Sequence, residues 1–245
     1  MKAPLILATS GGYVAGPVQM SWRLGTMLLD ALALTDKVRP RVCLVNTAMG
    51  DHLTNYALAY EAFNAAGCDV TELKVFPQPS ADPEERLGGS DLVWVGGGSV
   101  ANLLSLWRLH GVDGAMRSAW ERGVILGGVS AGSLCWHLGG TTDSFGQILQ
   151  PVTNALGFLP YANGVHYDAE AQRRPLLHQL MKSGVLSPLA YATDDTVGIW
   201  YEGIEATTVV SDAPVDPQSG PAAYKIELVD GDVVETRVGV GSSFR

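Results

Sequence analysis

Through the first half of the chain, short apolar runs alternate with longer amphipathic segments, and few architectures accept that alternation. Runs too short for a helix, repeated between segments of helical period, are the pattern of parallel strands covered by helices on both faces. The alternation predicts strands at 4–8, 41–46, 70–76, 92–95 and 124–127, and helices at 20–34, 53–66, 100–110 and 114–122. The stretch PQPSADPEERLGG at 77–89 reads as a proline-rich surface connection. Past residue 160 the pattern changes. A helix is expected over 169–183, followed by strands at 189–192, 198–201, 206–210, 222–228 and 232–238 that look antiparallel, with a tight turn at 229–231. The expected fold is a three-layer α/β/α domain spanning residues 1–245, with a mainly parallel central sheet and an antiparallel C-terminal extension. Function in such a sheet belongs at the carboxyl ends of the strands.

Composition narrows the partners. With 16 Lys+Arg against 25 Asp+Glu, the net charge is −9, and the charges are dispersed, which argues against nucleic acid. The first apolar run ends in TSGG, too soon for a secretory leader, and no spanning segment is read, so the expected location is the cytoplasm, away from membranes. Cys43, Cys68 and Cys135 stand at wide, unrelated spacings that fit neither a disulfide framework nor a CxxC metal site.

The residues richest in chemistry are GGVSAGSLCW at 127–136. Gly128-Val129-Ser130-Ala131-Gly132 fits G-x-S-x-G between an apolar strand and a plausible helix beginning SLCWHL, the context of a nucleophile elbow. A strained turn tolerates only small neighbours, lifts its serine above the sheet edge and leaves N–H groups free at a helix start that favours negative charge. The plain alternative is a tight β–α turn.

A serine hydroxyl needs a base. Of five histidines, His137 lies on the elbow's own helix, roughly 10 Å along its axis at about 1.5 Å per residue. His110 closes a helix before Gly111, and His178 sits on an amphipathic helix. His52 is a weaker candidate in a loop at the strand ends. His166, in Ala162-Asn163-Gly164-Val165-His166-Tyr167-Asp168, is the best candidate, since an extended run there meets a polar helix start. For the acid that orients it, Asp194 and Asp195 in YATDDTVGIW, Asp143 in GGTTDSFG and Asp168 are all open, each with the alternative of a turn or cap residue. Val95-Gly96-Gly97-Gly98-Ser99 follows a strand and opens a helix, so its N–H groups are suited to an oxyanion. It completes neither phosphate-binding glycine pattern.

Taken together, strand-GGG-helix, G-x-S-A-G, TTDSFG, HYD followed by the pair Arg173-Arg174, and a strand ending in DD resemble the peptidase E family of serine dipeptidases. That family includes the α-aspartyl dipeptidases and is related to the cyanophycinases. The resemblance runs from about residue 4 to about residue 230 and implies a fold like that of class I glutamine amidotransferases, with no metal or cofactor. It implies Ser130 as nucleophile, His166 as proton shuttle and the N–H groups of Gly98 and Ala131 as oxyanion hole. The third member in the family follows the histidine, which places Asp195, or its neighbour Asp194, in that role and favours Asp195. A second proposed position, nearer the serine, falls on Asp143.

Two departures bear on specificity. Ser99 stands where aspartyl dipeptidases often carry asparagine, and the arginine region also differs, with Arg173 or Arg174 the candidate to set a guanidinium opposite an aspartyl side chain. The expected activity is serine-peptidase hydrolysis of short peptides through an acyl-enzyme, with Asp-Xaa cleavage one specificity among several. A non-aspartyl or β-aspartyl substrate is one alternative, and a non-catalytic module binding a metabolite or partner protein is another. Exposed Trp or Leu on the connecting helices would support a homodimer.

Overall fold

The computed structural model describes residues 3–244, which form two large sheets and a separate two-stranded hairpin. The first has seven strands, and its parallel centre is what the alternation predicts. β1 (Leu5–Thr9) comes first, then a hairpin of β2 (Tyr13–Ala15) and β3 (Trp22–Leu24), α1 (Thr26–Leu34), β4 (Arg41–Val45), α2 (Leu53–Ala65) and β5 (Asp69–Glu72). After α3 (Pro83–Gly88) come β6 (Leu92–Val95), α4 (Val100–His110), α5 (Val112–Glu121), β7 (Ile125–Val129) and the one-turn α6 (Ala131–Leu134). β1, β7, β6, β4 and β5 are parallel neighbours in that order.

The second sheet is built on β8 (Gly139–Thr142), β10 (Ala162–Gly164) and β11 (Leu189–Thr193), which are parallel; β9 (Gln150–Val152) pairs antiparallel at one edge. α7 (Arg173–Lys182) connects β10 to β11. The antiparallel strands of the C-terminal part divide between the sheets. β12 (Val197–Glu202) and β13 (Glu205–Ser211) extend the first sheet beyond β1, whereas β14 (Ala222–Val229) and β15 (Asp232–Gly239) extend the second beyond β11. The short strands β8 and β10, GGTT and ANG, carry no apolar run and are held by packing, so periodicity gives no sign of them.

Local chemistry explains the other departures from the expected elements. The helix expected over 20–34 begins only at Thr26, after Gly25 at its N-cap, because Trp22–Leu24 pair with Tyr13–Ala15 as the return strand of the hairpin. Within the 77–89 connection, Asp82 caps α3 by accepting from the Glu85 N–H at 2.9 Å, with Pro83 at the first helical position.

Alternation along the strands separates the cores. Ile6, Ala8, Cys43, Val45, Val93 and Val95 pack with α4, α5 and the second sheet, whereas Leu7, Val42, Leu44 and Trp94 pack under α1, α2 and the hairpin. α7 covers the far face of the second sheet through Leu177, Leu180 and Met181. The three cysteines are buried and free, and burial pushes the Cys43 thiol up to about 12, which makes it an apolar filler and not a nucleophile.

His137 is sealed between α6 and β12. Its Nδ1 lies 3.0 Å from the Ser133 carbonyl, which must accept, so the proton is on Nδ1 and the Tyr201 hydroxyl donates to Nε2 at 3.3 Å. Burial lowers its pKa to about 4. Because the folded pKa lies below the unfolded value of about 6.5, the unfolded chain binds more protons between the two, and stability falls as pH drops from about 6.5 to about 4. His137→Gln should therefore flatten the decline of the thermal midpoint over that window by the equivalent of about 3 kcal/mol. Equal slopes for both proteins would contradict the assignment.

Candidate active site

Ser130 sits between β7 and α6 at φ 58°, ψ −113°, a conformation that L-residues rarely adopt. Its N–H donates to the Thr9 carbonyl at 3.0 Å. The glycines on either side make the bend achievable: a Cβ on Gly128 would lie 2.4 Å from the Gly132 carbonyl oxygen, and one on Gly132 would lie 2.3 Å from that of Val95. The G-x-S-x-G pattern is therefore a packing requirement, since the turn is pressed against the end of β6.

His166 lies after β10, also at positive φ (51°), with its N–H donating to the Ser10 hydroxyl at 3.0 Å. Its Nδ1 is 2.5 Å from Asp195 Oδ1, which orients the ring and leaves Nε2 for another partner. Asp195 is itself positioned through its backbone, whose N–H donates to Asp168 Oδ1 at 2.9 Å. Ser130 and His166 are thus anchored on consecutive residues at the end of β1, although no hydrogen bond joins their side chains among the described residues. Such bonds are commonly long before substrate binds.

The other carboxylates do different work. Asp194 is buried, and its Oδ2 accepts from the Ala222 N–H at 2.9 Å and the Tyr224 hydroxyl at 3.1 Å. Burial holds its pKa above the usual range. Asp143 is exposed in the turn after β8, where its carbonyl accepts from the Gly146 N–H, and no hydrogen bond or ion pair joins it to His166 among the described residues.

Gly98, at φ 124°, approaches Ala48 so closely that a Cβ would fall 2.5 Å from its carbonyl oxygen. The N–H groups of Gly98 and Ala131 have no acceptor among the described residues. Ser99 caps α4, accepting from the Asn102 N–H at 3.2 Å. A Cβ on Gly97 would stand 3.2 Å from that of Ser130, so the glycine triplet borders the serine directly.

Neither candidate arginine has an open guanidinium fork. Arg173 is 3% exposed and donates to the Thr141 carbonyl and to Glu170, each at 2.9 Å. Arg174 pairs with Glu235 at 2.5 Å and stacks on the rings of Tyr167 and Tyr224. His178 joins the same cluster, 3.0 Å from both Tyr167 and Glu235. His52 is exposed at the start of α2, and His110 closes α4. Among the described residues, no group of three or more His, Cys, Asp or Glu is placed to hold a metal, and no helix is long and apolar enough to cross a membrane.

Sequence reading missed Ser10 and the anchoring role of Asp168. Nothing local marks Ser10, which stands in the TSGG at the end of the first strand as an ordinary turn residue would.

The chain is a serine-type peptidase, and comparisons with known proteins name its class. It belongs to peptidase family S51, whose family model matches residues 6–209. An uncharacterized peptidase, YgaJ of Bacillus subtilis, is 34% identical over 94% of this chain and 95% of its own length. Peptidase E of Streptomyces coelicolor is 32% identical over 52% of this chain and 51% of its own length. The fold is shared with a peptidase from an acI-B1 Actinobacterium, at a TM-score of 0.71 and 14% identity over 99% of this chain and 97% of that one.

The elbow's packing makes a direct prediction. Gly132→Ala drives a methyl into the Val95 carbonyl, and backbone cannot yield as a side-chain end does. The expected loss is about 1–3 kcal/mol of stability, the usual range for overpacking, together with most peptidase activity. A fully active variant with an unchanged thermal midpoint would show that the turn is not so constrained.

Proposed function

We propose that the protein hydrolyses short peptides through an acyl-enzyme, with Ser130 as nucleophile, His166 as general base and acid, and Asp195 as the orienting carboxylate. The observation that carries the reading is the short His166–Asp195 contact on a histidine anchored beside the residue that holds Ser130.

In the first half-reaction, Ser130 Oγ bonds to the peptide carbonyl carbon while its proton passes to His166 Nε2. The oxyanion is received by the open N–H groups of Gly98 and Ala131, at the start of α6. The C–N bond then breaks, and the amine leaves with the proton from Nε2. In the second half-reaction, a water gives its proton to Nε2 as its oxygen attacks the ester, and Ser130 departs with that proton as the acid is released. Asp195 holds the Nδ1–H tautomer throughout and steadies the imidazolium while it exists.

Asp194 is not the orienting acid in this reading, because both its partners lie on β14. Asp143 is set aside because it faces solvent. Arg173 and Arg174 are set aside as selectors of an aspartyl side chain, since intramolecular partners occupy both.

Ser130→Ala should abolish hydrolysis of a dipeptide panel and leave the thermal midpoint near wild type, with His166→Ala nearly as damaging because such groups act as a unit. Asp195→Asn should lower kcat about 10⁴-fold, as loss of a triad aspartate does. Asp143→Asn should change it little, and equal damage from Asp143→Asn alone would move the acid there. Ser10→Ala removes the acceptor that holds the His166 backbone. It should lower kcat about tenfold or more with KM nearly unchanged, the mark of a lost positioning contact, since misplacement alone costs up to about a hundredfold. A rise in KM alone would assign Ser10 to substrate binding instead.

A further inference from the structure

Beside the elbow lies a cavity of about 180 Å³ that none of the groups discussed so far explains. Gly96, Gly97 and Val129 form its wall toward Ser130, so the cavity adjoins the residue proposed as nucleophile. Trp94, 1% exposed, also lines it. The hairpin contributes Tyr13 and Trp22, whose rings lie 4.7 Å apart, with Tyr13 also edge-on to Trp94 at 6.3 Å. Met49 contributes a thioether from the turn after β4. Ala59 and two primary amides, Asn46 and Asn55, complete the lining, and neither amide has a side-chain hydrogen-bond partner among the described residues. No charged side chain lines the cavity.

Its position relative to the histidine settles which part of a substrate would enter. In the first sheet β7 lies between β1 and β6. His166 is held at the end of β1, whereas Gly96 and Gly97 follow β6 and Asn46 follows β4, on the opposite side of Ser130. The leaving amine must be protonated from His166 and therefore departs on the β1 side, which leaves the acyl residue on the cavity side.

We propose that this cavity is the specificity pocket for the residue whose carbonyl is attacked, and that it takes an uncharged aliphatic or aromatic side chain. The inference rests on the catalytic reading given above. Aromatic walls and a thioether favour apolar groups, the lone amides accommodate an occasional uncharged polar one, and a carboxylate entering here would lose its hydration with no cation to meet it. The hairpin that carries the aromatic wall is held in place by Asp212, which accepts from the N–H of Gly12 and, at 3.2 Å, from that of Met27. The pocket is accordingly preformed.

The test compares kcat/KM for Leu-Leu, Phe-Leu, Ala-Leu and Asp-Leu in wild type, Asn55→Trp, Asn55→Arg and Ser130→Ala. Asn55 is half-buried near the start of α2, where a larger side chain projects into the pocket without entering the core. Wild type should prefer Leu-Leu and Phe-Leu over Asp-Leu by about a hundredfold, the order of discrimination a pocket of this kind supplies. Asn55→Trp should reduce the Leu-Leu to Ala-Leu ratio about tenfold, and Asn55→Arg should raise the Asp-Leu to Leu-Leu ratio by a similar factor. Equal cleavage of Asp-Leu and Leu-Leu by wild type, or ratios that neither Asn55 variant moves, would overturn the pocket. Ratios that move as expected while Ser130→Ala retains activity would uphold the pocket and overturn Ser130 as nucleophile. Should a variant unfold, the wild-type preference decides the matter alone.

Discussion

The end of β1 holds the site together. The Thr9 carbonyl receives the Ser130 N–H, and its hydroxyl lies 3.1 Å from the Gly128 carbonyl, so one residue fixes both sides of the elbow. Ser10 then ties the remaining loops. Its hydroxyl accepts from the His166 N–H and lies 2.7 Å from the Thr193 hydroxyl, its N–H donates to Val197, and its carbonyl receives the Thr196 N–H. Serine, histidine and aspartate come from three loops in two sheets, and each loop is bonded to one of these two residues or to its immediate neighbour. Buried and largely satisfied, this polar knot converts sheet packing into site geometry.

Backbone strain is also found at the same place. Ser130, His166 and Thr196 all have positive φ, and none is glycine. Each such residue costs on the order of 1–3 kcal/mol and persists only where its surroundings over-determine it. The surroundings here are hydrogen bonds to β1 and, for Ser130, glycines that admit the bend. The strain turns side chains into the strand-end cleft that regular strand geometry would leave in the sheet faces.

What could be read from the sequence follows from which of these forces are local. The parallel first sheet was legible because β1, β4, β6 and β7 are short apolar runs buried along nearly their whole length. The elbow was legible because its glycines are demanded by contacts within a few residues. His166 and Asp195 could be singled out as candidates, and their pairing was implied by family resemblance, but it depends on β10 and β11 lying side by side, which short glycine-rich strands do not announce. Ser10 was illegible for a related reason. A serine after a strand is an ordinary turn residue, and its role exists only once loops 156 and 183 residues distant in sequence close around it. The return strand of the aromatic hairpin falls inside the helix expected over 20–34 because its few apolar residues match either period over so short a span.

The adjacent pair Asp194 and Asp195 shows how one turn serves two purposes. Between β11 and β12 the chain reverses, so consecutive side chains leave it in different directions. Asp195 goes outward to meet His166 Nδ1 and keeps a partly exposed side chain. Asp194 goes inward and is bonded to the backbone of Ala222 and to Tyr224, on whose ring Arg174 lies. One oxygen of Asp194 is left buried without a partner, a cost the fold tolerates because the other oxygen locks β14 to the turn that carries Asp195. The arginine pair belongs to that same lock: Arg174 stacks over the ring bonded to Asp194, and Arg173 braces the end of β8. Its charge is used in holding the second sheet to α7, through the Thr141 carbonyl on β8 and Glu235 on β15.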